Sequence, residues 1–241
     1  HIGMGSFSRR HLLGVGIAAA ASLSGCLGFS VSNEASESVD QSFPAGDVEA
    51  VQIINPVGHV SVVAAARDDI RVEVLSRARE QAAIEDLNLR IDLVDGTLSV
   101  ETSLPDSSPR NLDSASARVT VTVPADDSTP VIESVASLVG DISLSGTSGD
   151  TLVRAEVGDV SATDADGFLS LSTRVGTVTA SDATGLDRAT TEVGDVKVDL
   201  LGVRRDVDIG SEVGDVVVGV AEDLPLSVLA ESEAGVDSDL L

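Results

Sequence analysis

Val139-Gly140-Asp141-Ile142, Val157-Gly158-Asp159-Val160, Val175-Gly176-Thr177-Val178, Val193-Gly194-Asp195-Val196 and Val213-Gly214-Asp215-Val216 are five renderings of one phrase. Successive glycines stand 18, 18, 18 and 20 residues apart. A fixed period near twenty is the mark of a stacked repeat, each unit burying its apolar face on the next. With the repeats aligned on their glycines, one column reads Ile142, Val160, Val178, Val196, Val216, and the next Leu144, Ala162, Ala180, Val198, Val218. Val153, Leu171, Ala189 and Ile209 form a third, and the valines just before the glycines a fourth. All four are aliphatic and are expected to face inward. Ser143, Ser161, Thr179 and Lys197 alternate with them and are expected to face outward. Ala155, Thr173, Thr191 and Ser211 form a column of small side chains, which implies two walls set close together.

The fold expected is all-β: a parallel β-solenoid, or β-helix, of about 18-residue coils. Gly140, Gly158, Gly176, Gly194 and Gly214 supply one corner of each coil, where a Cβ would strain the backbone. A second corner falls at Asp164-Ala165-Asp166-Gly167 and at Asp182-Ala183-Thr184-Gly185. Coils about 4.8 Å apart would carry four steps over roughly 19 Å. Ala234-Gly235-Val236 reads as a further phrase beginning, so the last residues or a longer chain are expected to cap the stack.

Composition agrees with a narrow β interior. Hydrophobic residues are 42% of the chain but aromatics only 2%, so the core must be Val, Leu, Ile and Ala. Forty Asp and Glu oppose 15 Lys and Arg, for a net charge of −25, and Lys197 is the single lysine. This balance excludes nucleic acid as a partner, since that needs basic patches. It also opposes electrostatic docking on anionic lipid. An acidic, nearly lysine-free surface resembles that of proteins from salt-loving archaea. At about 1 M salt the Debye length is about 3 Å, and crowded carboxylates repel one another weakly.

The N-terminus reads as an address, with Met4 as its start. Ser8-Arg9-Arg10-His11-Leu12-Leu13 resembles a twin-arginine export signal, with Arg9 and Arg10 as its pair. The apolar run from Leu12 to Leu23 is too short for a helix to cross a bilayer but suits a signal core. It ends at Leu23-Ser24-Gly25-Cys26, which resembles a lipobox, and Cys26 is the only cysteine. Residues 1–25 are therefore expected to be a signal peptide, with lipid on Cys26 holding the chain on the outer face of the cell membrane. Residues 26–46, rich in Ser and acidic residues, read as a flexible tether. One β domain then spans 47–241, with regular coils from about residue 131.

Before the coils lies a β region continuous with them. Val57-Gly58-His59-Val60 is an early, degenerate phrase. Ile70 to Val74 and Leu89 to Leu93 alternate strictly, and Asp95-Gly96 marks a hairpin turn. Arg77 to Asp86 is the one helix-capable stretch, and 105–116 reads as a loop. Arg118 to Val123 is a clean strand stopped by Pro124.

The Arg118–Pro124 strand and the Gly-Asp phrases resemble the "putative adhesin" β-helix family, whose domains occur in exported and lipid-anchored proteins. The resemblance covers about residues 47 to 241, and Gly176-Thr177 departs from it. It implies a β-helix in a family of domains of unknown function whose label points to adhesion.

Little in the chain suggests catalysis. His59 is the one histidine outside the export segment, and it takes the Asp position of the early phrase, where a solvent-facing turn residue is expected. The chemical candidate is the column Asp141, Asp159, Asp195 and Asp215. Stacked carboxylates there could hold Ca²⁺, the one cofactor considered, although Asp also suits a turn on its own. Glu156, Arg174, Glu192 and Glu212 share another register, with Arg174 expected between two glutamates. The expected function is that of a surface binding or envelope-scaffolding module, with an envelope protein or glycan as partner. A polysaccharide-processing enzyme is the alternative, opposed by the acidic surface and the lack of aromatic platforms. Self-assembly through unpaired strand ends is another.

Overall fold

The computed structural model describes residues 35–104, 115–126, 129–225 and 227. The chain is all-β. Its strands are β1 (Ala35–Pro44), β2 (Ala50–Val57), β3 (Val60–Ala65), β4 (Asp69–Ala78), β5 (Asn88–Val94), β6 (Thr97–Ser103), β7 (Ala115–Pro124), β8 (Val131–Val139) and β9 (Ile142–Ser145). They continue as β10 (Thr151–Val157), β11 (Val160–Thr163), β12 (Phe168–Val175), β13 (Val178–Ser181), β14 (Gly185–Val193), β15 (Val196–Leu200), β16 (Asp208–Val213) and β17 (Val216–Val220). A six-residue helix, α1 (Gln81–Asp86), separates β4 from β5.

Two large mixed sheets result. One runs β1-β4-β7-β3-β9-β11-β13-β15-β17, the other β16-β14-β12-β10-β8-β2-β6-β5. From β8 onward successive strands alternate between the sheets. Each pairs in parallel with the strand one phrase away, for example Val160 with Val178 and Val153 with Leu171. The early phrase joins the stack directly, Val57 lying beside Val139 and Val60 beside Ile142. The N-terminal third departs from one parallel winding. β4 pairs antiparallel with both β1 and β7, and β5 antiparallel with β6. Asp95 and Gly96, both at positive φ, make the turn of that last hairpin.

Strand alternation sets the core. Ile142, Val160, Val178 and Val196 are buried, as are Leu144, Ala162, Ala180 and Val198, and the return column Val153, Leu171 and Ala189. Two expectations about inward columns need correction. The valine before each glycine faces solvent: Val157 is 41% exposed, Val175 42% and Val193 46%. The phrase turns its corner between Val175 and Val178, so the two valines fall on different sheets and only the second reaches the interior. The first two columns also end in the open, with Val216 and Val218 exposed on β17.

The corner glycines are packed backbone on backbone. Gly176 has φ +146°, and a Cβ there would lie 2.1 Å from the Gly158 carbonyl oxygen. Inside the corner, Thr173 donates a hydrogen bond to the Gly158 carbonyl (2.9 Å), Thr191 to that of Gly176 (3.0 Å) and Ser211 to that of Gly194 (2.7 Å). Asn55, fully buried, does the same to the Ala117 carbonyl (2.8 Å) and accepts from Thr102 (2.6 Å). Asn55, Thr173, Thr191 and Ser211 of the small inner column thus satisfy backbone carbonyls at the corner, whereas Ala155 only fills space there. The mid-repeat corners use Asp164 and Asp182 at φ 53° and 52°, where Asp tolerates the left-handed region.

The tether is corrected as well. Residues 35–44 form β1, paired along its length with β4, and Ala45 is buried. An edge strand covers one face only, so Ser36, Ser38 and Ser42 stay polar while Phe43 packs on the core. The ordered β region therefore begins by Ala35 rather than 47. The helical stretch is shorter than expected, because Arg77 and Ala78 belong to β4. Most of the 105–116 loop lies outside the described residues, and Ala115 and Ser116 open β7.

Candidate binding face

Arg9, Arg10 and Cys26, the expected export and lipidation residues, lie outside the described residues. Asp141, Asp159, Asp195 and Asp215 do share a column, and the first three carboxylates serve the backbone. Asp141 Oδ1 accepts from the Asp159 N–H (2.9 Å), Asp159 Oδ1 from Thr177 (2.7 Å) and Asp195 Oδ1 from Asp215 (3.1 Å). The side chain on one rung thus fastens the turn of the next, and Thr177 interrupts the ladder by lacking a carboxylate. Among the described residues, no three His, Cys, Asp or Glu side chains group so as to hold a metal ion. In this structure the column acts as a hydrogen-bond ladder between turns. His59 sits one rung below Asp141, its Nδ1 3.5 Å from Oδ2, with both side chains largely in solvent. Lys197 lies 3.6 Å from Asp195 at the same corner.

The outward face of the second sheet holds a shallow groove. Register places Arg154, Ser172, Thr190 and Gly210 in one outward column. Side-chain length falls along it from a guanidinium to nothing. The column Glu156, Arg174, Glu192, Glu212 stands on one side and Ser170, Arg188, Asp208 on the other, leaving a shallow trough of about 480 Å³. Arg174 pairs with Glu156 at 2.8 Å and Arg188 with Asp208 at 3.2 Å. Arg174 therefore clasps one glutamate rather than bridging two. At the Arg154 end the trough meets an aliphatic shoulder of Ile54 and Leu138, both exposed.

Aligning inward columns alone did not disclose this trough, although the same register contains it. A second ionic cluster also went unread. Arg204 and Arg205 both bond Asp187, whose side chain is only 8% exposed, and Arg204 reaches Asp150 as well. The Arg205 guanidinium, then that of Arg204, holds the Asp187 carboxyl well below the usual carboxylate range.

No family model matches this chain, and no curated protein does. Among solved structures, a "putative cell adhesion protein" from Clostridium sporogenes matches with a TM-score of 0.53 at 11% identity, covering 78% of this chain and 100% of that one. A "putative adhesin" from Bacteroides fragilis has a TM-score of 0.36 at 14% identity, over 76% of this chain and 97% of that one. The first likeness is one of fold alone, and the chain shares that all-β fold with a distant protein described as adhesive.

Proposed function

We propose that this chain is a non-catalytic binding module of the cell surface, adhesin-like or an envelope scaffold, whose repeat half is a parallel β-solenoid. In this reading Arg9 and Arg10 direct export, and lipid on Cys26 anchors the domain to the outer face of the membrane. The acidic surface adapts it to high salt. The observation that carries the reading is the trough on the second sheet, held in register by parallel pairing on both flanks. Its lining offers guanidinium, carboxylate and hydroxyl groups, which suit recognition of a polar ligand. The test is capture of envelope components by the full chain in multimolar salt, with a Cys26→Ser variant followed by cell fractionation. Retained envelope material and release of the variant into the medium support the reading. Capture of nothing sinks the binding role, and a variant that stays with the membrane sinks the lipid anchor.

One observation favours self-assembly as a second reading. Among the described residues β17 ends its sheet, and Val216, Val217, Val218 and Val220 on it are all exposed. An apolar edge strand is a template for another strand. Light scattering at high salt would show concentration-dependent growth if copies join there, and a constant monomer mass rules this out.

A further inference from the structure

Resting on the binding-module reading, we infer that the trough takes a glycan carrying one carboxylate, a uronic-acid residue, with that carboxylate seated on Arg154. Most guanidinium groups among the described residues are committed, including Arg71 to Asp40, Arg174 to Glu156, Arg188 to Asp208, and Arg204 and Arg205 to Asp187. Among the described residues Arg154, like Arg77, Arg79 and Arg118, makes no ion pair, and of these four it is the one that lines the trough. Parallel strands hold it at the head of the trough, beside Ala136 and Ser172 in register. A planar guanidinium matches a carboxylate with two parallel hydrogen bonds. A single free guanidinium, with Glu156 close by in the same lining, suits one negative charge better than a dianion.

The rest of the trough describes the body of the ligand. Its floor beyond Arg154 is Ser172, Thr190 and Gly210, which lets a ligand lie flat against the sheet. Among the described residues Glu192 and Glu212 line the far end without an ion pair, about 12 and 16 Å from Arg154 by strand spacing and rise. Free carboxylates accept hydrogen bonds, so the far part of the ligand must donate them, as sugar hydroxyls do. Ile54 and Leu138 give the C–H face of a sugar ring an aliphatic surface at the Arg154 end. An extended peptide fits less well. It would bind by adding to an open sheet edge, and the trough lies on a sheet face. Repulsion from the remaining carboxylates is short-ranged in molar salt, whereas the contact with Arg154 is direct.

The test is titration of the full chain in multimolar salt with oligosaccharides containing glucuronic acid, against neutral glucose oligosaccharides of equal length, read by calorimetry. The uronate oligosaccharide should bind at least tenfold more tightly than the neutral one. Arg154→Gln should abolish that preference, and Arg154→Lys should restore part of it. Glu192→Gln should weaken both ligands alike. Arg154 is exposed, so an unchanged melting temperature checks that the variants fold. A preference that survives Arg154→Gln, or no saturable binding of either sugar, overturns the proposal. If Arg154→Gln still captures envelope material as well as the parent chain, the trough proposal falls while the binding module stands. If neither captures anything, both fall.

Discussion

Arg204 reaches Asp150 across 54 positions of sequence, its Nη1 lying 2.6 Å from Oδ2. The same guanidinium donates through Nε to Asp187 Oδ1 at 3.1 Å and lies 4.2 Å above the ring of Phe168. Those three partners belong to successive rungs, at the entries to β10, β12 and β14. Asp187 is available because the pairing of β12 with β14 shifts register between Leu169 and Ser170. Arg204 comes from the turn between β15 and β16, in the one repeat that is 20 rather than 18 residues long. The irregular repeat thus builds a clip over the three regular ones before it.

The two arginines of this clip should not be equivalent. Arg204 has three partners and a side chain 35% exposed, whereas Arg205 has Asp187 alone and is 62% exposed. Arg204→Ala should lower the melting temperature clearly more than Arg205→Ala. The ranking should persist in molar salt, because Asp187 is shielded from mobile ions. Thermal melts of both variants at low and high salt check this, and equal losses would contradict the clip.

Acid should release the same contacts. Asp187 is held below its ordinary range by Arg205 and then Arg204, Asp150 by Arg204, Asp40 by Arg71 and Asp69 by Arg67. For each, the unfolded state takes up a proton at higher pH than the folded state does. Their stabilisation is therefore complete above the unfolded carboxyl value of about 4 and is lost as pH falls below it. Melting temperature should fall steeply on acidification below about pH 4. Asp187→Asn should melt lower than the parent at neutral pH, with the gap closing as pH falls. A gap that widens in acid would show the sign to be wrong.

The glycine column offers a sharper contrast. Gly176→Ala puts a Cβ 2.1 Å from the Gly158 carbonyl oxygen, at φ +146°, where side chains are rarely tolerated. The backbone term alone is about 1–3 kcal/mol, and displacing the Gly158 carbonyl also disturbs its bond from Thr173. Gly210→Ala meets no heavy atom within 4 Å and lies outside the positive-φ region. It should be neutral or stabilising by about 0.4–1 kcal/mol. Denaturant unfolding of the two variants measures the difference, and a similar cost for both would refute the stacked-carbonyl account.

What could be read from sequence was whatever each residue repeats against an identical neighbour. Ile142, Val160, Val178 and Val196 see one another at every rung, so alignment alone places them together. The hairpin at Asp95-Gly96 was legible because its turn chemistry is local. β1 was not, since a polar edge strand differs from a linker only through its partner β4, and that pairing is long-range. Nor could spacing reveal that β3 lies between β7 and β9, strands that follow it by more than 50 residues. The trough follows from differences between rungs, from Arg154 to Gly210, and a search for sameness passes over them.

The two valines of one phrase measure how sharply the corner divides inside from outside. Val175 and Val178 are three residues apart, yet the first is 42% exposed and the second fully buried. Val178→Thr keeps the shape but buries a hydroxyl among Val160 and Val196, whose side chains offer no acceptor. It should cost about 1–3 kcal/mol. Val175→Thr places its hydroxyl in water and should change stability by no more than about 0.5 kcal/mol. Equilibrium unfolding in urea compares them directly at one salt concentration. If Val175→Thr proved the costlier change, the valine before each glycine would be packed, and the outward column built on it would have to be redrawn.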